Sequence, residues 1–235
     1  MKLVSYKICP FVQRVAALLE AKNIPYELVF INLSDKPQWF LDISPNAQVP
    51  VLITDNGTAL FESDAIVEYL EETYPALQQD LSAEDKALNR AWSYLASKNY
   101  LVQCSAQSSS DQQTLNERSQ KLDQAFDRME KRLGDTPFFA GESIGLVDLA
   151  WLTLLHRADI VERSSGYDFL GDRPKLKSWQ KNLMASGLAE KSVAPDFEEV
   201  FSAYYLSDKT FLGRGAEPDK WAPSQGCGSG STSCC

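Results

Sequence analysis

The sequence of 235 residues is poor in histidine and cysteine, and it carries no excess of positive charge. His156 is its single histidine, which argues against Ser-His-Asp catalysis and against a His-rich zinc site. The net charge of -9 argues against nucleic acid or an anionic membrane as a main partner, because both are bound by basic surfaces. We expect neither of these partners, and no metal site.

Long hydrophobic runs are also missing. The longest apolar run, residues 146–155, contains Asp148 and is too short to span a bilayer. The first residues lack the apolar core of a signal peptide. Three of the five cysteines lie in the last nine residues, which is unlike a disulfide framework. We therefore expect a protein of the reducing cytoplasm.

The first 75 residues alternate strand and helix patterns. Asn56-Gly57 separates two short apolar runs and predicts a hairpin, because this pair accepts positive φ at low cost. A preceding strand-helix-strand unit requires parallel pairing, whereas the hairpin requires antiparallel pairing. A small mixed sheet with helices on its faces, the thioredoxin-like α/β arrangement, satisfies both. The strands are predicted at residues 2–6, 26–33, 51–54 and 59–61, and the helices at residues 10–22, 37–42 and 63–74.

After Pro75 the strand patterns stop and helical periodicity takes over. Long helices are predicted on either side of the polar stretch 105–113, and further helices at residues 145–155, 175–184 and 195–206. The predicted organisation is a thioredoxin-like domain over residues 1–75, a linker over 76–83 and an all-α domain over 84–206. Residues 207–235 are predicted to form a flexible extension, because Gly, Ser and Pro accumulate toward its end.

Cys9 stands directly before Pro10 at a predicted helix start. Proline is favoured at the first helical position, which makes Cys9 the N-cap, facing backbone N–H groups and the positive end of the helix dipole. Such a site lowers a thiol pKa from about 8.5. Because Val12 replaces a second cysteine, the resolving thiol must be a small molecule such as glutathione, or Cys104 brought in by folding. A packed structural cysteine is the alternative.

Two later segments could hold glutathione. The segment QVPV (48–51) places Pro50 at a strand entry, where Val49 can offer its N–H and C=O to an extended peptide. The segment FESD (61–64) places Ser63 as the cap of a helix, where N–H groups suit a carboxylate. A turn proline and an ordinary helix cap are the alternatives. Both segments follow Cys9 in the sequence, and their occurrence together with a cysteine at a helix cap favours a binding site.

Residues 3–74 resemble the N-terminal domain of cytosolic glutathione transferases, the omega class in particular. The whole likeness covers about residues 2–206. It is carried by CPFVQR (9–14), NLSDKPQWF (32–40), QVPVL (48–52), FESDAIVEYL (61–70) and, in the helical domain, FFAGESIGLVDLAW (138–151). Gly145 is a departure, because the family usually has Ser or Thr at that helix cap; glycine is only a few tenths of a kcal/mol worse.

The resemblance implies the site residues and their roles. A thioredoxin-like domain followed by a helical domain, usually as a homodimer, would bind glutathione as co-substrate without a metal. The implied roles are Cys9 as catalytic residue with Phe11 beside it, Lys36 at the glycyl carboxylate, Val49 at the cysteinyl backbone after a cis bond to Pro50, and Glu62 and Ser63 at the γ-glutamyl end. The second-substrate site is matched to Arg157, Phe197 and Tyr204, for which core aromatics plus a solvated arginine are the alternative. His156 is expected at a surface or interface.

The implied activity is glutathione-dependent thiol transfer or reduction through a Cys9–glutathione mixed disulfide. Small disulfides, electrophiles or dehydroascorbate are the expected second substrates. One alternative is a non-catalytic protein like the starvation-response relatives that bind bacterial RNA polymerase. Another is ordinary glutathione conjugation. The joint presence of Cys9, Lys36, Glu62 and Ser63 favours the enzyme. A thiolate at the position of Cys9 favours disulfide formation over conjugation.

Overall fold

A computed structural model describes residues 1–215, which form a sheet domain followed by a helical domain. The strands are β1 Lys2–Ser5, β2 Glu27–Phe30, β3 Val51–Ile53 and β4 Ala59–Phe61. The helices are α1 Pro10–Ala21, α2 Gln38–Ile43, α3 Ser63–Thr73, α4 Ala83–Gln107, α5 Gln112–Arg132, α6 Leu146–Ser165, α7 Pro174–Ala185, α8 Leu188–Lys191 and α9 Phe197–Tyr205, followed by a 3-10 turn at Leu212–Arg214.

The four strands form one mixed sheet in the order β2-β1-β3-β4. Strand β1 pairs in parallel with β2 and antiparallel with β3, so that Val4 lies between Val29 and Val51. The β3–β4 pair is the predicted hairpin. The strand directions confirm the mixed thioredoxin-like sheet that the alternating patterns predicted.

Helix α1 is the element that joins the two domains. Pro10 begins it and Cys9 is its N-cap, in extended backbone conformation. Val12 to Leu19 are all buried, because α1 packs against β1 and α3 on one side and against α4, α6 and α8 on the other. Gln13 and Arg14 are buried with them. The first turn of α1 therefore lies where the sheet domain meets the helical domain.

Asp148 holds the start of α6. Its Oδ1 accepts hydrogen bonds from Phe139 N at 2.9 Å and Trp179 Nε1 at 2.6 Å, and its Oδ2 accepts one from Gly145 N at 2.8 Å. Burial raises the pKa of this carboxyl, which is fully enclosed. A side chain at Gly145 would place its Cβ 2.4 Å from Gln78 Oε1, so the end of the Gln78 side chain would have to move to accommodate the expected Ser or Thr.

The structure differs from the predicted helices in three places. Helix α6 runs to Ser165 and not to 155, and the short α8 was not predicted. The prediction of a flexible extension is wrong for residues 207–215. Thr210 and Leu212 are buried there, and Phe211 N donates to Ser109 O at 2.8 Å. Residues 216–235, with the rest of the predicted extension, lie outside the described residues. The domain boundaries at residues 75 and 83 stay predictions.

Within residues 1–215, none of the helices combines the length and the apolar content needed to cross a lipid bilayer.

Asp148→Ala should destabilise the protein by about 3 kcal/mol or more, because three buried donors lose their acceptor at once. Urea unfolding followed by tryptophan fluorescence measures the change. Asp135→Ala is the matched control, since its side chain is 98% exposed. A loss below about 1 kcal/mol for Asp148→Ala would contradict the assigned role of this carboxylate.

Candidate active site

A cavity of about 310 Å³ lies between the sheet domain and α4. Small-molecule sites are usually concave clefts of this kind at domain junctions. Five of the six residues implied for glutathione line it, and Lys36 is the exception. The lining residues are Phe11, Ser44, Asn46, Gln48, Val49, Pro50, Phe61, Glu62, Ser63, Leu101, Cys104, Ser105 and Ser108.

Cys9 lies beside this cavity at the N-terminus of α1. Its backbone N donates to Tyr6 O at 2.9 Å, and its carbonyl accepts from Gln13 N at 3.2 Å, so the turn before the helix is fixed. The side chain is 3% exposed, and its Sγ lies 3.9 Å from the carbonyl oxygen of Val49. The thiol is thus adjacent both to the helix N-terminus and to a main-chain acceptor of the cavity wall.

The segment before β3 is shaped by Ser44. Its Oγ donates to Gln48 O at 2.9 Å and accepts from Gln48 N at 3.1 Å. The following Val49–Pro50 peptide bond is cis, as the sequence resemblance implied. Together these contacts fix the main chain of Val49 at the side of the cavity that adjoins Cys9.

Glu62 forms the turn into α3. Its φ of 66° lies in the left-handed region, which is uncommon for a residue other than glycine and is often associated with functional sites. Glu62 is the N-cap of α3, which corrects the expectation that Ser63 caps the helix; Ser63 is its first residue. Asn46 Nδ2 donates to Glu62 Oε1 at 2.6 Å. A carboxylate and the first N–H groups of a helix therefore line one end of the cavity.

Arg14 connects the two helices that begin at the cavity. It is 3% exposed, and its guanidinium donates to Asp64 Oδ1. Because Arg14 belongs to α1 and Asp64 to α3, this ion pair fixes the Cys9 and Ser63 helix starts relative to each other.

The opposite wall of the cavity was not predicted from the sequence, except for Cys104, which was considered as a resolving thiol. It consists of Leu101, Cys104 and Ser105 on α4 and of Ser108, the C-cap of that helix. Their spacing of three, four and seven residues places them on one helix face, which is the signal that could have found them. The ring of Phe11 packs edge-on against Tyr100 of the same helix, with centroids 5.1 Å apart.

Lys36 lies in the loop between β2 and α2 and is half-buried. It is not among the residues that line the cavity. Its contact with a glycyl carboxylate stays a prediction.

The three residues matched to a second-substrate site do not meet in the cavity. Arg157 is 1% exposed and donates to Gln13 Oε1 and to Ile8 O. Phe197 is buried with its ring 5.3 Å from the Arg157 guanidinium carbon, while Tyr204 is exposed. The second-substrate role stays a prediction. Of its alternative, the core aromatic agrees with the buried Phe197, while the solvated arginine is wrong because the domain junction encloses Arg157.

His156 lies buried at the same junction. The Oε1 atom of Gln13 accepts from Arg157, so Gln13 Nε2 faces the histidine and donates to its Nδ1 at 2.9 Å. The imidazole proton must then be on Nε2. Burial and the neighbouring Arg157 lower the pKa of His156 to about 3, so the ring is neutral at physiological pH.

No three His, Cys, Asp or Glu side chains converge as a metal-ligand set in the part of the chain that the structure describes.

Comparisons with known proteins agree with this geometry. Residues 3–79 match the family described as "Glutathione S-transferase, N-terminal domain", and residues 112–180 match "Glutathione S-transferase, C-terminal domain". A relative from Arabidopsis thaliana, glutathione S-transferase DHAR2, is 38% identical over 157 residues, which cover 65% of this chain and 68% of the relative. The chain belongs to the glutathione S-transferase family.

Two further glutathione S-transferase relatives are of the omega class. Omega-1 of Rattus norvegicus is 29% identical over 219 residues, covering 90% of this chain and 83% of the rat protein. The crystal structure of glutathione transferase Omega 3C from Trametes versicolor is similar with a TM-score of 0.69 and 26% identity, covering 82% of this chain and 88% of the fungal one. The omega-like assignment, the two-domain fold and the prediction of an enzyme are confirmed.

Ser63→Ala and Lys36→Ala should each weaken glutathione binding by about 1–3 kcal/mol, because each removes a partner of a charged end of the tripeptide. Calorimetric titration with reduced glutathione measures the affinity. Ser110→Ala and Lys121→Ala are the matched controls, since both residues are exposed and outside the cavity lining. Wild-type affinity in both test variants would refute the site.

Proposed function

We propose that this glutathione transferase catalyses glutathione-dependent thiol transfer or reduction through a mixed disulfide between Cys9 and glutathione. The observation that carries the proposal is the distance of 3.9 Å between Cys9 Sγ and Val49 O. An extended peptide that pairs its cysteinyl backbone with Val49 brings its own sulfur to Cys9. The glutathionyl sulfur of a bound mixed disulfide and the sulfur of Cys9 are then close enough for thiol–disulfide exchange.

The ends of the cavity suit the ends of glutathione. Glu62 supplies a carboxylate for the γ-glutamyl ammonium, and Ser63 begins a helix whose N–H groups suit the γ-glutamyl carboxylate. Lys36 is proposed to reach the glycyl carboxylate from the loop before α2. Phe11, with its ring held by Tyr100, is proposed to cover the sulfur of the bound tripeptide.

The reaction proceeds in two thiol–disulfide exchanges. The Cys9 thiolate attacks the glutathionyl sulfur of a mixed disulfide R–S–SG, so that Cys9–S–SG forms and RS⁻ leaves. The thiolate of a second glutathione then attacks the glutathionyl sulfur on Cys9, which releases oxidised glutathione and restores the Cys9 thiolate. A helix N-terminus favours Cys9 both as attacking thiolate and as leaving group.

The names of two relatives support a glutathione-dependent activity. The rat protein is an omega-1 glutathione S-transferase, and the Arabidopsis protein is named DHAR2. For the present enzyme we propose small disulfides, electrophiles or dehydroascorbate as second substrates. The homodimer and the cytoplasmic location stay predictions.

Cys9→Ala should abolish thiol transfer while leaving the fold intact, because the side chain does not cap the helix and the change removes only its sulfur atom. Cys9→Ser should retain glutathione binding and gain some aryl conjugation, since a hydroxyl can hold a bound thiolate but cannot form a disulfide. Assays of thiol transfer, dehydroascorbate reduction and aryl conjugation on the purified variants measure this.

Cys104→Ser separates the monothiol mechanism from one with an internal resolving thiol. Turnover should continue in this variant, because a second glutathione resolves the Cys9 adduct. Loss of turnover with Cys104→Ser, or thiol transfer that survives in Cys9→Ala, would each contradict the proposed mechanism.

A further inference from the structure

Arg157 is a buried cation whose hydrogen-bond partners are neutral. Its guanidinium donates to Gln13 Oε1, to Thr153 O at 3.0 Å and to Ile8 O at 3.3 Å. The ion pairs formed within residues 1–215 do not include it. Arginine stays charged in proteins, and a buried charge without a counter-ion is unfavourable. A group near Arg157 that becomes an anion would therefore be stabilised.

The charge lies directly behind the active-site turn. Ile8, whose carbonyl accepts from Arg157 Nη2, is bonded to Cys9. The guanidinium of Arg157, which belongs to α6, thus contacts the residue directly before the N-cap of α1. Its positive charge adds to the positive end of the α1 dipole at Cys9.

Burial lowers the pKa of Arg157. Four neighbouring groups have the opposite effect, because each would stabilise the charged guanidinium if it were ionised. These groups are Cys104, Tyr205, Cys9 and Tyr100. Burial raises the pKa of Tyr100 to about 12, so this phenol remains neutral near pH 7. Thiols ionise much closer to neutrality than phenols do, which leaves the two cysteines as the anions that Arg157 can stabilise.

Other charged groups near this junction are compensated or neutral. Arg14 is paired with Asp64, so their effects on the junction largely cancel. Arg163, six residues further along α6, is paired with Asp159 and Glu198. His156 is uncharged, with a pKa of about 3. Arg157 therefore carries the uncompensated charge.

We propose that Arg157 is a positioning residue that stabilises the Cys9 thiolate with its charge and holds the active-site turn through Ile8 O. The inference rests on the proposed function, in which Cys9 is the nucleophile. In this proposal Arg157 stabilises the thiolate, in place of the second-substrate contact that the resemblance implied.

Gln13 offers a way to neutralise the charge without removing it. Its Oε1 accepts from Arg157 and its Nε2 donates to His156. Gln13→Glu places a carboxylate against the guanidinium at nearly the same volume, and His156 can change its tautomer so that Nδ1 donates to the new oxygen. Arg157 then keeps its place but no longer favours a second anion.

The test is the rate at which iodoacetamide alkylates Cys9 in the full chain, measured against pH by mass spectrometry of the Cys9 peptide. Arg157→Met and Gln13→Glu should each raise the apparent pKa of Cys9 alkylation by about one unit, which slows the reaction by about tenfold on the acid side of the profile. Arg157→Lys should retain most of the wild-type rate, because the charge remains. Arg163→Met is the matched control and should leave the profile unchanged, since that arginine is already paired.

Two results would overturn the inference. One is that Cys9 keeps the wild-type pH profile in all three single variants, Gln13→Glu, Arg157→Lys and Arg157→Met. The other is a shift confined to the Cys104 peptide, which would assign the charge to the other thiol. If Arg157→Met fails to fold, Gln13→Glu decides, because it retains the guanidinium. Thiol transfer surviving in Cys9→Ala refutes the proposed function instead, and it does so without reference to these profiles.

Discussion

The packing of α1 between the sheet domain and the helical domain is the constraint on which the site depends. Because Val12 to Leu19 are all buried, the helix cannot shift relative to either side without opening the core. Its N-terminus is consequently fixed in space, and Cys9 with it. A reactive thiol normally needs partial contact with solvent and a positive environment. Here the helix start supplies the positive environment, and the adjoining cavity gives solvent and substrates a route to the thiol.

Buried polar contacts then determine how the two domains meet at that helix start. Gln13 of the sheet domain binds Arg157 and His156 of α6 in the helical domain, while Arg14 binds Asp64 of α3 within the sheet domain and so holds α1 in place there. Buried groups of this kind are unfavourable unless their partners are correctly placed, so they specify one arrangement of the domains. That arrangement also puts α4 across from the segment of Val49 and completes the cavity.

Local chemistry explains what could be predicted from the sequence. Pro10 fixes Cys9 as a helix cap, and Asn56-Gly57 fixes a hairpin, since both effects depend on neighbouring residues alone. The α4 wall with Cys104 could not be assigned in the same way, because only tertiary packing decides which helix face meets the cavity. The burial of Arg157 could not be predicted for a related reason: charged side chains are usually exposed, and nothing in the local sequence indicates that Arg157 would contact Gln13 of the other domain.

The most direct measurement is the mass of the intact protein after incubation with oxidised glutathione, followed by peptide mapping. The mechanism predicts one glutathionyl group, located on the peptide that contains Cys9 and released by excess reduced glutathione. Cys9→Ala should acquire no such group within residues 1–215. An unmodified Cys9, or an adduct there that reduced glutathione cannot remove, would contradict the mixed-disulfide mechanism.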